Sequence, residues 1–399
     1  MFYRVAHAYI TRSFLFRAAP LESQPGATEA AVAAEKAAVR AALADPDAAF
    51  AAHAAALGAA RDALKVAGRA APPHMAVLAD PANLGKYKSA FKKALKTIAA
   101  LNARSGPSLA YGITPFVHMP HEEFAAAYLG GKRAPPVGGP MVADRAGRRA
   151  AFTCIRNHPW TSSGLAALKA HSAVDWRTST PRAVTSIKNQ DSCGSCVVFA
   201  NIAALEAAYI ISKNNTKQGA AITYANTDLS EQDQMDCLEG DACRGADGYE
   251  YIDNAICNGV AKESDDPYVG DDNDKCKEVP RAKSGVVGYT FVPGNIADVT
   301  RALSHNVISI GVAADRNFQY YRAGVLGCTK SGSLNHETAL IAYTEGVQSD
   351  QGPMKVFTAK NSWDTYWGED GFFRFRADCP YPGSLGMFAD PYLTVPIRG

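Results

Sequence analysis

All nine cysteines of this 399-residue chain lie at or after Cys154, and nothing before that residue carries one. A chain this long can fill a large core or two domains, and the cysteine boundary marks where a division falls. Charge divides the chain at nearly the same place. Residues 1–170 hold 21 Lys and Arg against 10 Asp and Glu, a net of +11, whereas residues 171–399 hold 20 against 29, a net of −9. The overall charge of +2 hides that split. It points to two parts that face one another, or to a basic segment with an acidic partner. Nucleic acid is not the expected partner, because the basic part has no interleaved aromatic platform and no recognition motif. No run approaches the roughly 18 apolar residues of a membrane span, so no membrane-spanning role is expected. A cysteine-rich region of this size favours an oxidising compartment.

The first 26 residues are a candidate targeting segment. MFYRVAHAYITRSFLFRAAP is basic and free of acids, but Arg4, His7 and Arg12 interrupt the apolar stretch of a signal peptide. A transit peptide or a misplaced start codon stay open. Asn214-Asn215-Thr216 is a glycosylation sequon, consistent with secretion and also common by chance. Residues 27–71 are dominated by alanine, with Pro46 among them, and read as marginal helix. Residues 85–102 place Tyr87, Phe91, Leu95, Ile98 and Leu101 at helical spacing with lysines opposite, which predicts an amphipathic helix. Residues 131–170 contain GGKRAPPVGGP and little periodicity, as an extended linker does.

From about residue 171 the texture changes. Cys196–Ser212 carries Phe199, Ile202, Leu205, Ala208 and Ile211 on one face, the pattern of a buried helix. Asp247–Cys257 and Asn295–Leu303 read as two more helices. Apolar runs at 307–313, 338–344 and 354–359, then GFFRFR at 371–376, are bounded by Gly, Asp or Asn and read as strands of an antiparallel sheet. Helices first and strands second predict an α+β protein with two subdomains.

The chemistry hinges on NQDSCGSCVVFA at 189–200, where Cys193 and Cys196 form a C-x-x-C. That spacing serves a zinc site, a redox dithiol, or a structural cysteine beside a nucleophilic one. A zinc site needs a second ligand pair, and Cys237 and Cys243 are too far apart with no histidine close by. A thioredoxin-type dithiol follows a strand in a βαβ unit, and no parallel strand pattern returns here. The third chemistry needs a thiol at a helix start, a histidine and a group to orient it. Cys196 opens the apolar helix, where unsatisfied N–H groups favour a thiolate. Of His171, His305 and His336, only His336 sits at the mouth of an apolar strand. Asn361 follows, with Trp363 two residues on to cover it. Cys, His and Asn in that order, 140 and 25 residues apart, match the spacing of one protease family.

Several stretches in register then carry a resemblance. NQDSCGSC, NHETALIAY and KNSWDTYWGEDGF, with LSEQDQMDC, CRGADGY, DPYVG and FQYYRAGV between them, resemble the papain-like cysteine proteases, the cathepsin L type above all. The resemblance covers about 171–395. It implies a papain-like fold with a helical left part and an antiparallel β-barrel-like right part, preceded by a helical prodomain. It implies Cys196 as nucleophile, His336 as its partner in a thiolate–imidazolium pair, Asn361 as the group that orients the imidazole, and Gln190 as an oxyanion-hole donor. Substrate contacts are implied for Gly245, Ala246, Asp247, Gly248, Leu334, Asn335, Glu337 and Trp363. Glu337 stands where a small residue is usual, so its carboxylate either accepts Arg or Lys in the pocket or turns outward. No metal or organic cofactor is implied.

The resemblance also implies the disulfides Cys193–Cys243, Cys237–Cys276 and Cys328–Cys379, with Cys154 and Cys257 left over and Cys257 buried on its helix. Three departures stand out: Val197 where an aromatic is usual, Asp191 where glycine follows the oxyanion-hole residue, and Ala246 in place of the second glycine of a cleft-lining pair. Residues 85–124 resemble the family's inhibitory propeptide through Phe91, Ile98, Asn102 and YGITPFVHMPHEEF, although Tyr87 replaces an Arg and His118 an Asp. The expected organisation is a targeting segment at 1–26, a prodomain at 27–130, a linker at 131–170 and a peptidase domain at 171–399. The expected protein is a monomeric endopeptidase zymogen, lysosomal, vacuolar or secreted, whose partners are peptide or protein substrates and its own propeptide. A non-catalytic peptide-binding homologue and a thiol oxidoreductase using Cys193 and Cys196 are the alternatives.

Overall fold

The computed structural model describes residues 29–66, 71–130, 168–214, 222–238, 241–245, 248–272, 275–283, 285–329, 332–349, 352–390 and 394–398. The expected targeting segment and most of the expected linker, Cys154 included, lie outside them.

The alanine-rich region forms two helices, α1 (Glu29–Ala44) and α2 (Pro46–Val66), with Pro46 opening the second. Proline is well placed there, since the first helical residue has no partner for its N–H. Helix α3 (Pro81–Arg104) is the long amphipathic one. Asp80 caps it by accepting from the Ala82 N–H at 2.9 Å. Its buried face of Tyr87, Phe91, Ala94, Leu95 and Ile98 packs in the core, each large apolar side chain contributing roughly 1.5–3 kcal/mol. Lys88 and Lys92 on the other face both pair with Asp47 of α2. The chain then makes strand β1 (Leu109–Tyr111) and helix α4 (His121–Tyr128). Asn102 clamps β1 to α3: its amide donates to the Tyr111 carbonyl at 2.8 Å and its oxygen accepts the Tyr111 N–H at 2.9 Å.

Helix α5 (Cys196–Asn214) runs through the centre of the second half. Its one-sided pattern understates its burial, because alanines fill the other faces. Val198, Ile202, Leu205 and Ala208 pack toward the helical subdomain, while Ala203, Ala204, Ala207 and Ile210 pack toward the sheet. Helix α6 (Glu231–Asp236) is capped by Ser230, and α7 spans Gly248–Asn258.

The right-hand part is a nine-stranded sheet. Strand β7 (Tyr321–Leu326) is flanked by β1 and β10 (Phe372–Arg376); β9 (Met354–Lys360), β8 (His336–Val347) and β6 (Ile308–Val312) follow. Beyond them lie β11 (Thr394–Arg398) and β5 (Val286–Phe291), and β2 (Ala173–Asp175) pairs separately along β8 as the ninth strand, while β3 (Val260–Ala261) and β4 (Arg281–Ala282) form a ribbon of their own. The sheet is not wholly antiparallel as expected, since β7 and β10 pair in parallel. The edge strand β1 belongs to the N-terminal part, and it pairs antiparallel with β7 at Leu109–Gly324 and Ala110–Ala323. A side chain at Gly324 would strike the Ser108 carbonyl at 1.9 Å, and its φ is +98°, so the docked strand requires glycine there.

The two halves share one core. Phe91, Phe116, Phe124 and Tyr128 join Phe318, Trp363 and Trp367 in a continuous buried cluster. Among the described residues, the ion pairs across that boundary run against the charge split. Glu35 pairs with Arg322 at 3.2 Å and Glu122 with Arg316 at 3.4 Å, so acids of the basic half meet bases of the acidic half.

Candidate active site

Gln190 stands on the extended segment leading into α5 and is wholly buried. Its side chain is fixed at both ends. Ser362 Oγ donates to its Oε1 at 2.6 Å, and its Nε2 donates to the Cys193 carbonyl at 2.9 Å and to the Tyr128 carbonyl at 3.1 Å. The backbone follows suit, with the Gln190 N–H on the Ser362 carbonyl at 2.9 Å. Asp191 next to it has a φ of 50°, a left-handed conformation that explains why glycine is usual. Aspartate tolerates it better than most residues, and Asn189 anchors it by donating to Asp191 Oδ1 at 2.6 Å.

Cys193 is bonded to Cys243, which draws the Gly194 N–H onto the Cys243 carbonyl at 2.8 Å. The C-x-x-C is therefore no dithiol. Among the described cysteines, Cys196 is the one outside any disulfide, and it is buried at the first residue of α5. Cys237 is bonded to Cys276 and Cys328 to Cys379. Cys257 is no spare thiol either: it is half-buried and disulfide-bonded.

His336 opens strand β8, and its Nε2 pairs with Asn361 Oδ1 at 2.8 Å. The same oxygen accepts the Ser362 N–H at 2.9 Å. Trp363 stacks on the imidazole, with centroids 4.5 Å apart. Burial pushes His336 down to about 4, against the opposing pull of Asn361. Behind Asn361, a small cavity is lined by Lys188, Glu231, Glu337 and Lys360 among others. Burial opposes a charge on Lys188, but Glu231, Glu206 and Asp228 hold its ammonium well above the usual range.

Tyr128, Leu129 and Gly130 lie across this site. A methyl group added at Gly130 would come 2.7 Å from the Gly194 carbonyl, 2.9 Å from Cys196 Sγ and 3.6 Å from Gly245 Cα. Gly130 thus brings Cys196 and Gly245 to one place. Ala246 and Asp247 lie outside the described residues, and Gly248 starts α7. Leu334 is half-buried ahead of β8. Asn335 is turned to the backbone of Ala314, accepting at 2.8 Å and donating at 3.1 Å. Glu337 does not turn outward. It is buried, and its Oε1 accepts from Ser309 Oγ at 2.6 Å. Ser362, Tyr128 and Gly130 are site residues that the sequence pattern does not single out. Their only signals are adjacency to Asn361 and a glycine just past a helix end.

A family model described as "Papain family cysteine protease" matches residues 170–385. The chain belongs to that family. Cysteine proteinase 2 of Entamoeba histolytica is 36% identical over 234 residues, 56% of this chain and 68% of the relative. Ananain of Ananas comosus is 31% identical over 309 residues, 75% of this chain and 79% of the relative. Among solved structures, a recombinant stem bromelain precursor superposes with a TM-score of 0.63 at 31% identity, covering 80% of this chain and 93% of that one. The protein is a cysteine endopeptidase of papain-like fold with a propeptide.

Proposed function

We propose that Cys196, His336, Asn361 and Gln190 carry peptide-bond hydrolysis, and that residues 27–130 are the inhibitory prodomain of the zymogen. The cysteine at a helix start is placed for a thiolate, with His336 as the imidazolium beside it. The thiolate attacks the peptide carbonyl, and the charge on its oxygen is met by Gln190 Nε2 and the Cys196 N–H. His336 protonates the leaving amine, then takes a proton from the water that hydrolyses the thioester. Asn361 holds the ring in orientation through its 2.8 Å contact. Gly245 lines one side of the substrate groove, with Leu334, Asn335, Glu337 and Trp363 on the other.

The observation that carries this reading is what fills the cleft. Gln190 Nε2, the oxyanion donor, is engaged by the Tyr128 carbonyl, and only a glycine at 130 fits against Cys196. The chain's own peptide stands where a substrate would lie. Burial disfavours a charged His336 in this state, and the ion pair belongs to the processed enzyme. The described disulfides fit maturation in an oxidising compartment, and the processed enzyme acts on peptides as a monomer. The bromelain protease of Ananas comosus has been solved in complex with the E64 inhibitor; an epoxide of that kind is the probe. After prodomain removal it should label one thiol, at Cys196. No labelled thiol points to a non-catalytic peptide binder, and reducible labelling at both Cys193 and Cys196 to an oxidoreductase.

A further inference from the structure

The prodomain core contains three histidines in one chain of contacts. His53 Nε2 meets His118 Nδ1 at 3.0 Å, and His118 Nε2 meets the His74 carbonyl at 2.9 Å. His74 Nδ1 meets Tyr128 OH at 2.7 Å. Tyr128 is the residue whose carbonyl occupies Gln190. The chain of contacts therefore runs from α2 to the oxyanion donor. Phe91 packs on His53 at 5.3 Å, Phe116 on His74 at 5.0 Å and Tyr87 on His118 at 5.6 Å.

The hydrogen bonds fix how many protons this cluster can hold. A carbonyl only accepts, so His118 Nε2 carries a hydrogen and, in the neutral ring, His118 Nδ1 is an acceptor for His53 Nε2–H. One added proton is tolerable if His53 switches tautomer and accepts instead. A second sets two N–H groups against each other. His74 Nδ1 has Tyr128, but its Nε2 is buried with no hydrogen-bond partner. A charged His74 would bury a cationic N–H with nothing to receive it, which disfavours that charge strongly. Against its burial, charge on His118 is favoured by the carbonyls of His74 and Pro115 and by the carboxylate of Glu123. Glu123 is already engaged by Lys86 and by Tyr87 OH. Among the described residues, no group of three or more His, Cys, Asp or Glu could hold a metal ion, so the cluster is not a metal site.

We propose that His53, His74 and His118 are a proton-operated latch, which holds Tyr128 over the catalytic residues while neutral and releases it when the cluster takes up more than one proton. This deepens the prodomain reading and rests on it. Burial pushes His74 down to about 3 and His118 down to about 4, and holds His53 well below its ordinary value. The sign follows from linkage. A histidine depressed in the docked state binds fewer protons there than when released, so docking is favoured above about pH 6.5 and lost as pH falls toward 4. Each such histidine weakens docking about 20-fold between pH 7 and pH 5. Two acting together give a factor on the order of 10²–10³.

The test uses the full chain with Cys196→Ala, which cannot process itself. Amide hydrogen exchange over residues 111–130, corrected for the intrinsic pH effect, should show protection falling by about 10²–10³ from pH 7 to pH 5. In the same chain with His53→Gln, His74→Gln and His118→Gln, which hydrogen-bond but do not titrate, most of that fall should vanish. An undiminished fall would overturn the latch. Should the triple variant not fold, histidine ring resonances of the Cys196→Ala chain decide. They should stay neutral until protection is lost, and rings that charge near pH 6.5 while the amides remain protected would refute it. Because docking is read without turnover, this outcome is separate from the peptidase reading, which thiol labelling tests.

Discussion

A methyl group at Gly130 would stand 2.9 Å from Cys196 Sγ, closer than carbon side chains are found to sulfur in packed proteins. Gly130→Ala should therefore lift the segment and let an epoxide reach Cys196 in the uncleaved chain, roughly 10-fold faster at pH 7 for about 1.4 kcal/mol of lost docking. Unchanged labelling would show that the segment does not guard the thiol. Gln190→Ala in the processed enzyme should lower kcat by about 10²–10³, with the thiol still labelled. A kcat within a few-fold of the parent would remove Gln190 from the oxyanion site. Glu337 is the residue where pattern was least informative. Its place beside the histidine was readable, but its partner Ser309 lies on a different strand. If its carboxylate reaches the substrate, Glu337→Ala lowers cleavage of peptides with Arg or Lys before the cut residue relative to Leu. An unchanged preference in peptide-library profiling assigns it to holding β6 against β8. Asp191 shows the opposite case: the departure from glycine is visible in the sequence, while its left-handed backbone and Asn189 anchor are properties of the folded loop.

At the scale of elements, what was legible follows from local periodicity. Helix α3 keeps its apolar spacing over several turns, and β8 and β9 are continuous apolar runs, so burial and sequence agree. Strand β1 has three residues and exists because β7 offers it an edge; nothing local specifies it. Strand β11 contains Pro396, which argues against a strand in sequence, yet it pairs along β5 from Thr394–Phe291 to Arg398–Val286. The parallel pairing of β7 with β10 is set by the path of the chain between them. Asn102 joins these scales, because one side chain makes both hydrogen bonds that dock β1 on α3. Asn102→Ala should weaken prodomain docking by roughly 1–3 kcal/mol, about 5- to 150-fold. The processed enzyme's kcat/KM should not change. A full-length chain with unaltered amide protection at 109–111 would show that β1 docks without this clamp.

For the whole molecule, the charge split of +11 and −9 is real in the sequence, but the contact ion pairs have the reverse polarity. Long-range attraction between the halves is screened beyond about 8 Å at physiological ionic strength. The described interface is built from the shared aromatic core. Raising salt from about 0.05 to 0.5 M should therefore change prodomain protection far less than lowering the pH from 7 to 5. A salt effect as large as the pH effect would return the main role to long-range charge. The central claim is that Cys196 is the nucleophile of a peptidase held inactive by its own N-terminal part. Its most direct measurement is peptide hydrolysis by the acid-processed protein beside Cys196→Ala freed of its prodomain by an added protease. Turnover is expected from the first and none above background from the second, with the same fold and the same affinity for the prodomain. Appreciable turnover by purified Cys196→Ala would contradict it.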